Sequence, residues 1–516
     1  MATIYINSTY TFDGDGTTPD PATSPGGVGA KNAAVTSPTA NNTYSYARGT
    51  TTNLGSTSIT VAANGVTITA HGTGALPIID AQSTASFAIS ISTANNCTLT
   101  NLDLRNGSNA NATLNITGTC DTTVITDVSV SSALGCVLAS GAGITNLAIL
   151  RLTVACSAPN SIAVNLSNTG AGVVTIKDST IAHSATDRSQ SNLIGLTVRS
   201  TAGTLVQNCT VTGGNIPLEV RGTDSHTIKN CTVSTGYLSG IRLRDSNSTR
   251  VEGNTVSGIW NGKYYNGGAG PGAGGGAGAG IDILDISGNA GNNVVIRNTI
   301  SNCYQGILDQ SDNVSANIFC SNIIFGYMVN GISYQAQAAG QGLIANNSIY
   351  HHPSDPVLTA GHGIVIQNTS INTTARIVNN VVVADVLSSN VQCVNIPLSA
   401  STGATFIDYN NWYTLNGAHL GALGGVNYDT LAAWQTALGT DVDTTGDDAH
   451  SKSVSPSWLL GDAPTTAAGF SLKLGSTMIR AGIPVLAIGN IYTDQRGYRG
   501  RVPPDLGACQ RISSDP

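Results

Sequence analysis

Only 10% of the 516 residues are charged, so a cluster of acidic and basic side chains between positions 219 and 312 is the feature best suited to chemistry. Short segments built as Gly-Ile followed by alternating residues, namely Gly240-Ile-Arg-Leu243, Gly280-Ile-Asp-Ile283 and Gly306-Ile-Leu308, align these side chains on one another. Glu219, Arg242 and Asp282 then take equivalent positions, Arg221 and Arg244 follow two residues later, and Asp245 and Asp285 stack one step beyond. Asp309 and Asp312 come from the next repeat. Three chemistries fit. Paired carboxylates about 5 to 9.5 Å apart act as acid and base on a glycosidic bond. Aspartate oxygens can instead hold Ca²⁺ against an acidic sugar while an arginine serves as base. The third reading is structural: an alternating Glu–Arg–Asp ladder in which each charge neutralises its neighbour one strand away. The ladder is the preferred reading, because opposite charges across neighbouring strands are what a stable sheet surface uses anyway. Glu219, Arg242, Asp282, Asp285 and Asp309 are the candidate catalytic residues should the enzymatic reading hold. No metal ligands and no cofactor are assigned, and Ca²⁺ is the one ion the acidic cluster suits.

A second singular segment adjoins the first. Trp260-Asn-Gly-Lys-Tyr264-Tyr265 leads into a glycine- and alanine-rich tract that ends at Gly280. Such a tract cannot bury a core; it either flexes or packs as extended backbone. Its aromatic residues suit stacking on sugar rings or anchoring an interface. Arg221, Arg244, Asp245, Trp260, Tyr264 and Tyr265 are therefore the candidate binding residues. A plain loop serves equally well. Neither a Gly-x-Ser-x-Gly elbow nor a His-Glu-x-x-His metal motif occurs, and the eight histidines are dispersed.

The elements that position these residues repeat. Asn208-Cys-Thr-Val211, Asn230-Cys-Thr-Val233, Asn254-Thr-Val256, Asn298-Thr-Ile300, Asn322-Ile-Ile324 and Asn346-Asn-Ser-Ile349 recur at steps of 22, 24, 44, 24 and 24 residues. The Gly-Ile segments interleave with them and continue at Gly331-Ile-Ser-Tyr334 and Gly363-Ile-Val-Ile366. Two strand signatures per turn fit a coiled parallel sheet, with period-two alternation on each strand and the asparagines stacked into a ladder. The spacing predicts roughly 13 coils between residues 57 and 416, with an insertion at 258–280, and a rod of roughly 60 Å at about 4.8 Å per strand. Open strand edges need cover. Residues 1–56 are expected to form an N-terminal cap or attachment region, and residues 417–516 a C-terminal cap with a short helix over 429–438, started by Asp429 and stopped by Gly439.

Composition agrees. β-branched residues abound while Phe numbers 6 and Met 3, which favours strands over helices. A net charge of −7 without a basic block argues against nucleic acid as partner. The first residues read as a strand rather than a signal peptide, and no apolar run is long enough to span a membrane. The ten cysteines form no metal-like pairs and read as small buried residues of a protein made in a reducing cytoplasm.

Val66-Thr-Ile-Thr-Ala-His-Gly-Thr-Gly-Ala-Leu-Pro-Ile-Ile-Asp80 resembles the opening coil of pectate-lyase-like right-handed β-helix proteins. Gly446-Asp-Asp-Ala-His-Ser451, Ile479-Arg-Ala-Gly482, Asp494-Gln-Arg-Gly497 and Pro504-Asp-Leu-Gly-Ala508 resemble the closing segment of the same superfamily. The resemblance covers nearly the whole chain and implies an all-β, right-handed parallel β-helix solenoid capped at both ends. It does not fix function. Gly361-His-Gly363 and Arg376-Ile-Val378 also resemble motifs of polygalacturonase-type glycoside hydrolases. The carboxylates that family requires are replaced by Ala279, Tyr304 and Gln305, and its lysine by Val378, so the assignment is rejected and His362 is expected in a loop. The chain resembles β-helix proteins of bacteriophage virion surfaces more closely. That resemblance implies a non-enzymatic capsid decoration, spike or tail spike, made in the host cytoplasm without a signal peptide. Its partners would be other virion proteins and host-surface polysaccharide, and a homotrimer would suit it. The alternative is a polysaccharide lyase or glycoside hydrolase acting on acidic polysaccharide through the 219–312 face.

Overall fold

A computed structural model describes the chain except for residues 109–111, 158, 160, 169–171, 185–192, 200–202, 223–224, 261–277, 286–290, 312–316, 335–341, 352–360, 367–374, 386–390, 397–404, 441–443, 446–447, 474, 484–504 and 509–516. Tyr264, Tyr265 and Asp312 lie outside the described residues. Residues 1–227 and 228–516 form two compact units. Each is a parallel β-solenoid in which a strand pairs with its equivalent one coil on.

In the first unit the strand Thr98–Arg105 pairs with Val124–Ser132, placing Leu99, Leu102 and Leu104 beside Ile125, Val128 and Val130. All six are buried, as period-two alternation of aliphatic and polar residues requires. The second sheet repeats the arrangement. Ile162–Asn168, Ile194–Arg199 and Ile216–Arg221 stack so that Leu196 meets Leu218 and Val198 meets Val220. Between the two strand segments of successive coils the chain bends at Asn101, Asp127, Arg151, Asp178 and Asn208, all with φ between 51° and 57°. Asn and Asp tolerate this left-handed region better than other non-glycine residues, which explains their recurrence at this point. The free edge of the first strand, Thr3–Ile6, is occupied: Tyr5 N–H donates to Gly16 O (2.8 Å) and Lys31 N–H to Tyr5 O (2.9 Å). That loop closes on itself at Gly14, where a Cβ would stand 2.4 Å from Gly29 O.

The second unit carries an asparagine ladder. Asn254 Nδ2 donates to Asn298 Oδ1 (2.9 Å), and the chain of bonds continues through Asn322 (3.0 Å), Asn347 (3.0 Å), Asn380 (2.9 Å) and Asn410 (3.0 Å). Each Oδ1 also accepts the backbone N–H of the asparagine before it, as in Asn298 N–H to Asn322 Oδ1 (3.0 Å). The ladder corrects the expectation from the repeat. Asn346 is not a ladder member but the bend residue before one, with φ 55°, and Asn208 and Asn230 likewise sit at bends, with φ 55° and 54°. Two adjacent positions favour asparagine for different reasons, one for its φ and one for its amide.

The second sheet ends in an antiparallel strand, Val426–Tyr428, followed by the helix Leu431–Thr440. The helix begins two residues later than expected. Thr430 rather than Asp429 caps it, with Ala433 N–H donating to Thr430 Oγ1 (3.2 Å), because the Asp429 carboxylate is bonded to His419 Nδ1. Trp434 packs over Gly421, where a Cβ would meet its ring at 2.7 Å. The chain beyond then runs back along the outer face of the first sheet. Trp458, Phe470, Leu472, Met478, Leu506 and Ala508 cover Ile323, Tyr350, Val381 and Val383. Hydrogen bonds fasten this segment: Ala508 N–H to Ser348 Oγ (2.9 Å) and Asn379 Nδ2 to Ile483 O (2.7 Å). Nine described cysteines are buried and unbridged.

Candidate functional site

Of the charged residues singled out above, Glu219 and Arg221 lie in residues 1–227, and Arg242, Arg244, Asp245, Asp282, Asp285 and Asp309 lie in residues 228–516. In residues 1–227, Glu219 stands beside Thr197 in register. Its carboxylate is buried and fully engaged: Thr197 Oγ1 donates to Oε1 (3.3 Å), Arg221 Nε bonds the same oxygen, and Arg221 Nη2 donates to Oε2 (3.1 Å).

In residues 228–516 the strand Ser239–Arg244 pairs with Ala279–Leu284, so that Arg242 faces Asp282 as the alignment predicts. Arg242 Nε donates to Asp282 Oδ2 (2.9 Å), Ser239 Oγ donates to the same oxygen (2.7 Å), and Arg242 Nη2 donates to Ser239 Oγ (2.8 Å). Arg242 and Asp282 are both buried, and Asp282 Oδ1 has no hydrogen-bond partner. Arg244 Nε is 3.9 Å from Asp245 Oδ2, both side chains being partly exposed. Asp285 is buried just past the end of its strand. Trp260 is half-buried at a strand end, its backbone N–H donating to Gly236 O (3.2 Å).

Asp309 does not join this face. The register sets Asp282 opposite Leu308 and Ile283 opposite Asp309, and Asp309 is in turn opposite Tyr334. Asp309 therefore points inward, where it accepts from Ser311 N–H (3.0 Å), Ser311 Oγ (2.7 Å) and Asn317 Nδ2 (2.9 Å). Burial pushes its carboxyl up to about 6, against the pull of those donors. A shift of one residue reverses the face of a strand residue. Among the described residues no three His, Cys, Asp or Glu side chains gather so as to hold a metal ion.

A row of residues that the charge pattern does not reveal lies on the same face. Gln305 pairs with Asn330, Asn330 with His362, His362 with Gln392, and Gln392 with His419. Asn330 Nδ2 donates to Gln305 Oε1 (3.2 Å), Asn395 Nδ2 lies 3.4 Å from His362 Nε2, and Gln392 Nε2 donates to Asn427 Oδ1 (3.0 Å). His362 is a strand residue of Gly361–Ile366 rather than a loop residue, and burial lowers its imidazole to about 4. The neighbouring row reads Asp282, Leu308, Ser333, Val365, Asn395. Asn330 Oδ1 and Ser333 Oγ are buried without partners. The available signal was positional: Gln305, Asn330 and His362 each directly precede the glycine that opens a Gly-Ile segment.

The geometry can be set beside known proteins. Residues 161–334 match the family model described as right handed beta helix region. No curated protein matches the chain as a relative. Among solved structures the chain is similar to the tailspike protein of E. coli bacteriophage HK620 in complex with pentasaccharide, at 12% identity over 75% of this chain and 67% of that one, with a TM-score of 0.43. It is similar to a double mutant of the periplasmic alginate epimerase AlgG, at 12% identity over 82% and 79%, with a TM-score of 0.40. It is also similar to pectate lyase Pel9A, at 14% identity over 99% and 97%, with a TM-score of 0.36. With the parallel pairing of every coil, the match over 161–334 makes the chain an all-β, right-handed parallel β-helix.

Proposed function

We propose that the protein is a non-enzymatic structural component of a bacteriophage virion surface, a capsid decoration, spike or tail spike, that holds host glycan on the outer second-sheet face of residues 228–516. The row Gln305, Asn330, His362, Gln392 carries the glycan part of this reading. It places a hydrogen-bonding group once per coil at a fixed register, with His362 partly exposed and Gln305, Asn330 and Gln392 buried, an arrangement that matches a ligand which itself repeats. The blocked first strand edge in residues 1–227 and the fastened C-terminal segment in residues 228–516 each support a closed unit fit for display. On this reading the partners are other virion proteins and host-surface polysaccharide, and the chains assemble as a homotrimer.

The enzymatic alternative asks for two carboxylates directed at one glycosidic bond. Asp282 is held by Arg242 and Ser239, and Asp309 faces the interior, so the two do not share a side of the sheet. This favours a structural role for the Arg242–Asp282 pair.

Antibody-gold electron microscopy of intact particles, with purified protein as the blocking control, tests the proposal. Specific label on head or tail is the expected result, and particles without label would remove the virion reading. Incubation of the protein with acidic polysaccharide, followed by assay for new reducing ends or unsaturated products, tests the alternative. Cleavage there would replace the structural reading with the enzymatic one.

A further inference from the structure

Four of the buried cysteines, Cys97, Cys209, Cys231 and Cys303, each donate the thiol hydrogen to the carbonyl two residues back, at 3.3 to 3.6 Å. Cys136 and Cys156, both in residues 1–227, instead reach across to one another. Cys136 Sγ donates to Ala155 O (3.6 Å), just before Cys156, and Cys156 Sγ donates to Leu134 O (3.3 Å), just before Cys136. The two thiols also hydrogen-bond together, which along with burial holds the Cys136 thiol far above the ordinary cysteine range.

Cys156 borders an open cavity of about 300 Å³ whose other lining residues include the exposed Ala133, Ala155, Ser157 and Ser184. The register sets Ser131, Ala155 and Ala182 in one row, so no long side chain of that row covers the opening. Cys156 keeps 2% of its surface exposed, so a molecule the size of water can touch it from the cavity. On its other side Ser161 Oγ lies 3.5 Å from Cys156 Sγ and 3.3 Å from His183 Nε2, which is also 3.2 Å from Ser161 O. A carbonyl only accepts, so Nε2 carries the hydrogen of that contact, and the Ser161 hydroxyl is left to donate to the sulfur. A donor at the sulfur favours the thiolate, the form that peroxide oxidises.

We propose that Cys156 and Cys136 form a peroxide-responsive pair, in which Cys156 is oxidised from the cavity and Cys136 resolves it as an intramolecular disulfide. The Cys156 thiolate attacks one oxygen of hydrogen peroxide; the O–O bond breaks, hydroxide leaves, and Cys156 becomes a sulfenic acid. The Cys136 sulfur then attacks the Cys156 sulfur, the S–O bond breaks, and the hydroxyl departs as water with the Cys136 proton. Two thiols lose two electrons between them, and peroxide is reduced to two waters. A reducing compartment keeps both thiols, whereas an oxidising one closes the bond. Once closed, it ties the turn between the strands Val124–Ser132 and Val137–Thr145 to the end of the strand Thr153–Cys156, one coil on.

The test treats the full chain, purified under reductant, with hydrogen peroxide and counts thiols after denaturation. The count should fall from ten to eight, and peptide mass mapping should show Cys136 joined to Cys156. The oxidised chain should melt several degrees higher, an increase that dithiothreitol reverses. Cys136→Ser removes the resolving thiol, so a sulfenic-acid probe should label Cys156 in that variant and not in the parent chain. Ser161 is a positioning residue: Ser161→Ala should move the pH dependence of the oxidation rate upward and leave the product the same, and an unchanged profile would remove Ser161 from the mechanism. Ten thiols after treatment, or a linkage between other cysteines, would overturn the proposal. The mapping uses the parent sequence, so it decides the question even where a variant does not fold.

Discussion

Buried carboxylates in residues 228–516 illustrate how differently one functional group behaves in three surroundings. Asp282 answers the Arg242 guanidinium. Asn then removes the charge but not the shape, and Arg242 is left buried without a counter-ion. Asp282→Asn should therefore destabilise the protein by about 3 to 5 kcal/mol, read as a shift in the urea midpoint. Unchanged stability would argue against the ladder. Asp448 is bonded instead by neutral donors: Trp412 Nε1 at 2.7 Å, Trp434 Nε1 at 3.0 Å, and Ser451 Oγ. Burial pushes its carboxyl up to about 7, and Asp408 nearby pushes in the same direction. Asp309 is raised to about 6 for the same main reason. In both cases the folded protein holds a proton more tightly than the unfolded chain does. The stabilisation is full below about pH 4 and is lost as pH rises through 6 to 7. Melting temperature should accordingly fall between pH 5 and pH 8, with His362, whose lowered imidazole adds stability as pH rises to about 6.5, offsetting part of the fall, and Asp448→Asn should flatten part of that slope. An identical slope in the variant would show that Asp448 does not titrate in this range.

At the scale of the element, the repeat was legible because each coil reuses one pattern of aliphatic alternation, and chain-wide periodicity survives local irregularity. What it left ambiguous lies within one residue. Asn346 and Asn347 are indistinguishable by type, yet one has φ 55° and the other bonds Asn322 and Asn380. The two positions should respond differently. Asn347→Ala removes a buried amide from four hydrogen bonds and strands its partners, an expected cost of about 2 to 4 kcal/mol. Asn346→Ala loses chiefly the tolerance of a left-handed bend, about 1 kcal/mol. Urea unfolding of the pair distinguishes them, and equal losses would mean that the ladder bonds contribute little. The same one-residue sensitivity turned Asp309 inward while Asp282 stayed on the outer face. Charge drew attention to both, but facing depends on register, and the Gly-Ile alignment followed one residue further already sets Ile283, not Asp282, against Asp309. The neutral row Gln305, Asn330, His362, Gln392 was overlooked for the opposite reason. Its members differ in type and are mostly uncharged, so only their common position ties them together.

For the molecule as a whole, the decisive feature is the segment that covers the outer face of the first sheet. Along that face Thr255 and Thr299 give way to Ile323 and then, after Ser348, to Val381. The early coils can meet water there and the later ones cannot. Trp458 and Phe470, in ring contact at 4.7 Å, are buried against Ile323, Tyr350, Val381 and Val383 and so close a patch that would otherwise be apolar and exposed. Phe470→Ala should cost about 3 to 5 kcal/mol if the cavity does not collapse. A chain ending at residue 445 lacks the whole cover, and the bare aliphatic stripe should bind a hydrophobic dye and drive self-association during gel filtration with light scattering. The contrast with Asp282→Asn is informative. That variant weakens the wall of the solenoid without exposing the stripe, so it should unfold earlier but remain unassociated when folded. A truncated chain that stays dispersed and dye-free would mean that the stripe is covered by something other than the segment after residue 445.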